Sequence, residues 1–517
     1  MDSNVIEQSG NDSKVLAAID IGSNSIRMVT GQLTEDGQVE IIDRYRKAVR
    51  LGQDTFTKKR LSRSAIRTAI SILREYQRQL ELIGVKHIRI VATSSVREAI
   101  NADILIDRVL MSTGWYIEVI DPSEESRLTV TGVQIALGEM VEKYTQNTLI
   151  AEVGGGSTIL TVLEKGEILV SQSMSLGSIR LQEDLVDGTI PDSKVISNEI
   201  KNILPTIESF MPLKKIDTFF VLGADARFAA KQVGEPLDGS DHYFIPKAQF
   251  GRLVKKISTM TPDKIAEQYD LEYTEAETLN TALVVYKELL DATKAKQLIV
   301  STASLRDGLL RDMARRASGR EDKVFASEVI NSATAIAEKY KSDVVHCNRV
   351  RQIAVKLFDT LKKEHGLGFR QRIYLEAAAL THEIGIYISP RSFHKHSQYL
   401  ISNSEIFGLT QREISIVSNI ARYHRRAKPK TSHLDYMSLS RENRIIVNKL
   451  AALLRMAEAL DTGRNTNPKR MDCQLSRDSF VITMPAGANM ESMRRNFVSE
   501  REMFEDIYGL NAILEEV

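Results

Sequence analysis

The residues best placed to do chemistry are two acids, each leading at once into a glycine turn. Asp20 ends Ala17-Ala18-Ile19-Asp20 and leads into Ile21-Gly22-Ser23-Asn24-Ser25. Glu152 ends Leu149-Ile150-Ala151-Glu152 and leads into Val153-Gly154-Gly155-Gly156-Ser157-Thr158. Each stretch reads as an apolar strand closed by a carboxylate, a tight turn and a returning strand. Glycine permits positive φ and close backbone approach to a ligand. Successive amides in such a turn form an anion-binding nest, and Ser23, Ser25, Ser157 and Thr158 add hydroxyl donors. One such turn reads equally well as a structural hairpin. Two, with the same acid-x-Gly order, imply two related halves gripping one phosphate chain from both sides. Paired acids beside phosphate loops suit Mg²⁺ held through oxygen ligands and water. The cation would neutralise charge on a transferring phosphoryl group. The plainer alternative is that one or both acids only satisfy turn amides.

Three further groups stand out. Glu125, in Asp121-Pro122-Ser123-Glu124-Glu125, falls just inside a helix start with Asp121 as N-cap, Pro122 at N1 and Glu124 at N3. A carboxylate there can face a cleft and deprotonate a water. It also fits a glutamate favoured by the helix dipole, a role that suits Glu124 better. Arg97 follows a Thr-Ser-Ser turn, where a guanidinium would clamp phosphate oxygens with a bidentate fork or else form a surface ion pair. Arg180 and Arg306 are similar, weaker candidates. Seven of the nine histidines lie beyond residue 318, among them His346, His382 and His424. The order His346, His382-Glu383, Asp461 is the metal-ligand order of HD-type phosphohydrolases, and imidazole with carboxylate suits divalent metals. Histidines that serve as core hydrogen-bonding groups of a helical bundle read the same way.

The elements that must position these groups alternate. Strands are expected at Val15–Ile19, Arg27–Leu33, His87–Ala92 and Trp115–Ile120, with an amphipathic helix over Ser62–Ile83. The order then repeats: strands between 148 and 174, a helix near 192–210, a strand at Thr218–Leu222, helices to about 291, and a strand at Gln297–Val300. Such alternation argues for an α/β architecture. Beyond a polar joint at Ser318–Asp322 the pattern is nearly all helix, with one β-like stretch at Phe480–Met484.

Composition narrows the class. At 517 residues, with 43% hydrophobic and 26% charged residues, the chain reads as several globular domains. A net charge of +1 offers no whole-chain attraction for nucleic acid, so a polyanion must be met by a local basic patch. Two cysteines, Cys347 and Cys473, provide no disulfide framework and suit a reducing compartment. No 18-residue apolar run is present, and Met1–Ser13 lacks a secretory leader's apolar stretch. A cytoplasmic protein with no membrane contact and a disordered tail over residues 1–14 is expected.

Taken together, these motifs resemble the exopolyphosphatase / guanosine pentaphosphate phosphohydrolase (Ppx/GppA) family in its long form. Ala18–Ser25 is similar to its first phosphate motif, Ser123–Leu128 to its Glu-Glu-Ala-Arg-Leu segment, and Gly154–Thr158 to its second loop. Ala303-Ser304-Leu305-Arg306-Asp307-Gly308 resembles its Ala-Ser-Leu-Arg-Glu-Gly signature, and His382–Gly385 with His394–Ser397 resembles its HD-like third domain. The resemblance implies duplicated actin-like ATPase (ribonuclease-H-like) domains at 15–130 and 131–318, and an all-α HD-like domain at 319–517 with a short β segment. It implies hydrolysis of a terminal phosphoanhydride with Glu125 as base and Mg²⁺, or Mn²⁺ in its place, at Asp20 and Glu152. Gly22, Ser23, Asn24, Ser25, Arg97, Gly154, Gly155, Gly156, Ser157, Thr158 and Arg306 would hold phosphate. The substrate would be inorganic polyphosphate, or alternatively guanosine pentaphosphate, acted on by a homodimer. Two positions depart from the family. Glu152 stands where aspartate is usual, and a carboxylate displaced by about one bond length can cost roughly 10²-fold in rate. Gly223-Ala224-Asp225-Ala226-Arg227 stands where Gly-x-Ser-Gly-Thr is usual, so Arg227 would take up phosphate contact or Asp225 would repel it. These departures leave a second reading, a phosphate-binding sensor with little turnover. A third reading puts the main activity at a metal held by His346, His382, Glu383 and Asp461.

Overall fold

The computed structural model describes residues 15–34, 37–137, 147–186, 192–237, 242–317, 321–425, 427–485 and 490–516. The expected tail over 1–14 and most of the joint at 318–320 lie outside these residues. The chain divides into two compact units, Met1–Glu321 and Asp322–Val517. Among the described residues no helix is long and apolar enough to cross a membrane.

The first unit is built from two sheets of the same plan. Strands β1 (Val15–Ile21), β2 (Ser25–Leu33), β3 (Val39–Ala48), β4 (His87–Ala92) and β5 (Glu118–Val119) form one sheet in the order β3-β2-β1-β4-β5. The first three are antiparallel, and β4 and β5 run parallel to β1. The second sheet uses β6 (Asn147–Val153), β7 (Thr158–Glu164), β8 (Glu167–Met174), β9 (Thr218–Leu222), β10 (Glu235–Pro236), β11 (Tyr243–Pro246) and β12 (Gln297–Val300). It repeats an antiparallel trio, β6-β7-β8, followed by parallel β9 and β12, and adds the β10–β11 pair at its edge. The two halves are thus duplicated α/β domains of the actin-like ATPase type. Asp20 and Glu152 occupy the same place, the last residue but one of β1 and of β6.

Local chemistry explains the boundaries. The helix Arg63–Leu82 starts where Ser62 Oγ accepts from Ala65 N, and its buried stripe includes Ile66, Leu73, Tyr76 and Leu80. The expected strand Trp115–Ile120 shrinks to Glu118–Val119, because only those two residues pair with β4. Strand β3 was not anticipated. It is an edge strand whose residues are mostly exposed, so it lacks the alternation that marks a half-buried strand.

Helix Leu305–Ala317 returns to the first sheet and crosses helix Pro122–Leu137. A Cβ at Gly308 would sit 1.8 Å from Leu128 O, and one at Gly132 would sit 2.9 Å from Ser304 O. Only glycine lets these backbones come so close. A buried network, with Arg89 and Arg127 bridging Glu124 and Asp312, fastens the same crossing.

The second unit is a helical bundle around buried helices Phe369–Thr381 and Arg441–Leu460. The expected all-α region carries three strands rather than one β stretch: β13 (Asp472–Leu475), β14 (Ser479–Met484) and β15 (Asn511–Glu516). Strand β15 pairs parallel to β14 from far along the chain, a contact that local patterning does not encode.

Candidate active site

Each phosphate loop closes with one hydrogen bond of the same kind. Gly22 N donates to Ser25 O at 3.1 Å, and Gly154 N donates to Ser157 O at 2.8 Å. The loops touch: a Cβ at Gly155 would lie 2.9 Å from Ser23 Cβ, and one at Gly156 would collide with Phe56 and Ser94. None of Gly22, Gly154, Gly155 and Gly156 takes a positive φ. Left-handed turns are thus not what these glycines provide, which corrects part of the sequence argument: Gly155 allows close approach to the first loop and Gly156 to Phe56 and Ser94, while Gly22 and Gly154 meet only carbonyls of their own turns.

The second loop is pinned from behind. Its carbonyls accept from Ser178 N, Ile179 N and Arg180 N at the start of helix Ser178–Val186, and Arg180 Nε donates to Gly156 O at 2.7 Å. Arg180 also pairs with Glu98 at 2.5 Å, so it holds the loop from behind rather than reaching into the cleft. With these carbonyls engaged, the loop's chemistry toward a ligand is that of its amides. Two expected phosphate contacts are engaged elsewhere: Thr158 Oγ1 donates to Leu176 O, and Asn24 Nδ2 donates to Thr274 O. Ser25 Oγ accepts from Arg27 Nε and keeps its own proton to donate. Ser23 Oγ lies 3.3 Å from Ser94 Oγ at the first turn of the short helix Ser94–Arg97.

Glu125 lies in the first turn of helix Pro122–Leu137. Asp121 Oδ1 accepts from Glu124 N at 2.9 Å, capping helix Pro122–Leu137, and Glu124 is taken up by Arg127 and Arg89. Glu125 instead faces Arg97, whose Nη1 lies 3.3 Å from Glu125 Oε2. Burial pushes the Glu125 carboxyl up; Arg97 opposes this, while the Glu152 and Asp20 charges add to it, and the result is about 7. Burial likewise raises Glu152, against the pull of Arg27 and of a hydrogen bond from Thr129 Oγ1 at 3.1 Å. Asp20 accepts from Arg306 Nη1 at 3.2 Å. Burial, with Arg27 beside it, lowers Arg306 to about 10.

One cavity adjoins the loops and a second neighbours it. The first, of about 110 Å³, is lined by Asn24, Glu152, Gly154, Gly155 and Asp225. The second, of about 490 Å³, is lined by Arg27, Arg44, Arg46, Arg227 and Arg306, with Tyr45 and Tyr243. Arg27, Arg46, Ala224 and Glu275 line both, so the arginine cavity neighbours the loop cavity. The departures at 225 and 227 fall here. Burial raises Asp225 to about 6, opposed by Arg27, while Arg227 is desolvated and held near Glu152. Sequence reasoning singled out Arg97 and Arg306 but missed Arg27, Arg44 and Arg46. Their signal was Arg27 on the returning strand and an Arg-x-Arg pair on the edge strand.

The donor set fits a hard divalent cation: Asp20 and Glu152 are carboxylates close enough for one charge to raise the other's pKa. Among the described residues, the one cluster of three or more metal-capable side chains lies in the second unit. It comprises His346, His382, Glu383 and Glu458, with ligand atoms within 4.8 Å of one another. Asp461, expected as a ligand, is turned away. Its Oδ2 accepts from His346 Nδ1 at 2.7 Å and from Arg349 Nε at 3.0 Å, and its Oδ1 accepts from Thr466 N. Glu458, one turn earlier on the same helix, takes the place facing the imidazoles. The spacing in Glu458-Ala459-Leu460-Asp461 leaves two acids to choose from, Asp461 being the cap of helix Arg441–Leu460, and the packing of the imidazoles decides between them. Burial pulls His346 down, but its bonds to Asp461 and Glu458 outweigh it and raise it to about 9.

Residues 25–317 match the model described as the Ppx/GppA phosphatase family, and residues 330–495 match that of Ppx/GppA phosphatase, domain III. The chain is 25% identical over 488 residues to a guanosine-5'-triphosphate,3'-diphosphate pyrophosphatase of Aeromonas hydrophila, covering 92% of this chain and 93% of that protein. It is 27% identical over 494 residues to the Vibrio vulnificus protein of the same name, covering 93% and 94%. Among solved structures, an exopolyphosphatase from Cytophaga hutchinsonii aligns with a TM-score of 0.54 at 23% identity, over 59% of this chain and 98% of that one. At that identity the likeness speaks to the fold.

Proposed function

This chain belongs to the Ppx/GppA phosphatase family, a family of phosphoanhydride hydrolases, and from that we propose that its paired loops release the terminal phosphate of inorganic polyphosphate. The observation that carries the reading is a 490 Å³ cavity lined by five arginines that shares Arg27, Arg46, Ala224 and Glu275 with the loop cavity. A terminal phosphate at the loops would leave the next phosphates among guanidinium groups, which bind them by bidentate hydrogen bonds.

In this reading Glu125 is the general base. A carboxyl near 7 is half ionised at neutral pH and still basic enough to take a proton from the attacking water. Arg97 holds Glu125 and faces the phosphoryl oxygens. The loop amides and Ser23 position the terminal phosphate, with Arg306 beside Asp20. Asp20 and Glu152 would hold Mg²⁺, which supplies neutralisation of the charge on the phosphoryl oxygens. The products are orthophosphate and a chain shorter by one phosphate.

A second reading, the 5'-phosphate of guanosine pentaphosphate, is favoured by the names of the full-length relatives. It is also favoured by Tyr45 and Tyr243 on the arginine cavity, which offer rings to a guanine base. Both substrates suit a cytoplasmic enzyme, and we include the homodimer of the family resemblance in the proposal, to be checked by light scattering. The deciding experiment is phosphate release with Mg²⁺ from both substrates, wild type beside Glu125→Gln. Loss of about 10²- to 10⁴-fold in the variant supports the reading, and the better substrate names the activity. Tight binding without release by the wild type points to the sensor reading.

A further inference from the structure

We propose that the helical unit binds one first-row divalent cation (Mn²⁺, Fe²⁺, Co²⁺ or Zn²⁺) through His346 Nε2, His382 Nε2, Glu383 and Glu458. Its ligands are other residues than those of the phosphate loops, and the inference does not rest on the proposed hydrolysis.

The geometry is that of ligands already oriented. Glu458 Oε2 lies 3.0 Å from His382 Nε2 and 3.2 Å from His346 Nε2. Neighbouring ligand atoms around a metal with bonds near 2.1 Å are roughly 3.0–3.4 Å apart. Each ring is held at its other nitrogen. His346 Nδ1 bonds Asp461 Oδ2 at 2.7 Å, and His382 Nδ1 bonds Ala379 O at 2.7 Å. These acceptors keep a proton on each Nδ1, and a bound ion would take the place of the Nε2 proton that each ring shares with Glu458 Oε2. Glu383 is steadied by Arg464, whose Nη2 donates to its Oε1 at 2.7 Å. His346, His382 and Glu383 are buried, whereas the Glu458 side chain is 27% exposed and opens the cluster to a water or an entering ion.

A second observation points the same way. His424 donates from Nδ1 to Ala421 O, and its buried Nε2 has no hydrogen-bond partner. Its ring packs edge-on against His382, with centroids 4.9 Å apart. An unpaired buried imidazole nitrogen is destabilising in an ordinary core. Beside a cation-binding cluster it is a spare donor. Two imidazoles with two carboxylates favour first-row transition ions over Mg²⁺ or Ca²⁺, which take oxygen ligands.

The test uses the full-length chain with Glu152→Gln as background, so that the phosphate-loop acids contribute little to the count. After chelation and dialysis, Mn²⁺ or Co²⁺ alone is added. Metal per chain is read by mass spectrometry, and the Co²⁺ visible spectrum reports nitrogen ligation. We expect one ion per chain, a rise in Tm with added metal, and loss of both in Glu458→Gln and His382→Gln. Asp461→Asn, which leaves the four ligands in place, should weaken binding about 10- to 100-fold. No bound ion at millimolar metal would overturn the site, as would full retention in both ligand variants. If those variants fail to fold, the Co²⁺ spectrum of the background protein decides alone. Phosphate release is not read, so failure here and failure of the proposed hydrolysis are distinguishable.

Discussion

Arg97 Nη1 donates to the Ile120 carbonyl at 2.7 Å and lies 3.3 Å from Glu125 Oε2. The guanidinium is thus fixed by the backbone at the end of one strand while it steadies the carboxyl at the start of the next helix. Glu125 is pulled two ways, upward by burial and by Glu152 and Asp20, downward by Arg97.

The first prediction is a pH profile. The base works deprotonated, so kcat/KM should rise as pH increases through about 7 and level off above it. Arg97→Met removes the group that lowers Glu125, and the rising limb should move to higher pH. Glu152→Gln removes a group that raises it, and the limb should move lower. A profile that stays flat through neutral pH would take Glu125 out of the role of base.

Glu152→Asp restores the usual family residue yet should not improve the enzyme. The longer side chain reaches Thr129 Oγ1 at 3.1 Å, and an aspartate gives up that bond. We expect kcat/KM to fall about 10- to 100-fold, the scale of a misplaced carboxylate. A gain in rate would show that the extra methylene is a handicap.

Arg44 and Arg46 line the cavity beyond the loops and are held by Asp307 and Glu275. Arg44→Ala and Arg46→Ala should each raise KM for long polyphosphate by about tenfold, the effect of roughly 1.4 kcal/mol, with a smaller change in kcat. The wild-type KM for long polyphosphate should also rise with added salt. A fall in kcat with KM unchanged would place these arginines at the chemistry rather than along the chain.

Gly308→Ala should destabilise the first unit, because its Cβ would meet Leu128 O at 1.8 Å. Overpacking of this kind costs about 1–3 kcal/mol, seen as a fall of several degrees in Tm. Gly251, on helix Lys247–Ile257, is the control, since nothing lies within 4 Å of its added Cβ. Gly251→Ala should stabilise by about 0.5–1 kcal/mol.

The sequence by itself determined the duplicated strand–turn–strand plan, the capped helix that carries Glu125 and the places of Asp20 and Glu152. All three depend on local pattern: apolar runs, turn glycines and a cap within a few residues of the group they position. What only the tertiary structure decided depends on contacts between distant segments. Arg180 and Thr158 looked like phosphate ligands until packing turned them onto backbone carbonyls. Arg27, Arg44 and Arg46 became a cavity wall because β2 and β3 pair next to helix Ala224–Val233 and β11. Glu458 rather than Asp461 faces His346 Nε2 and His382 Nε2. Three residues along a helix turn a side chain only part of the way round the axis, so spacing leaves both acids near one face, and the packing of the imidazoles chooses between them.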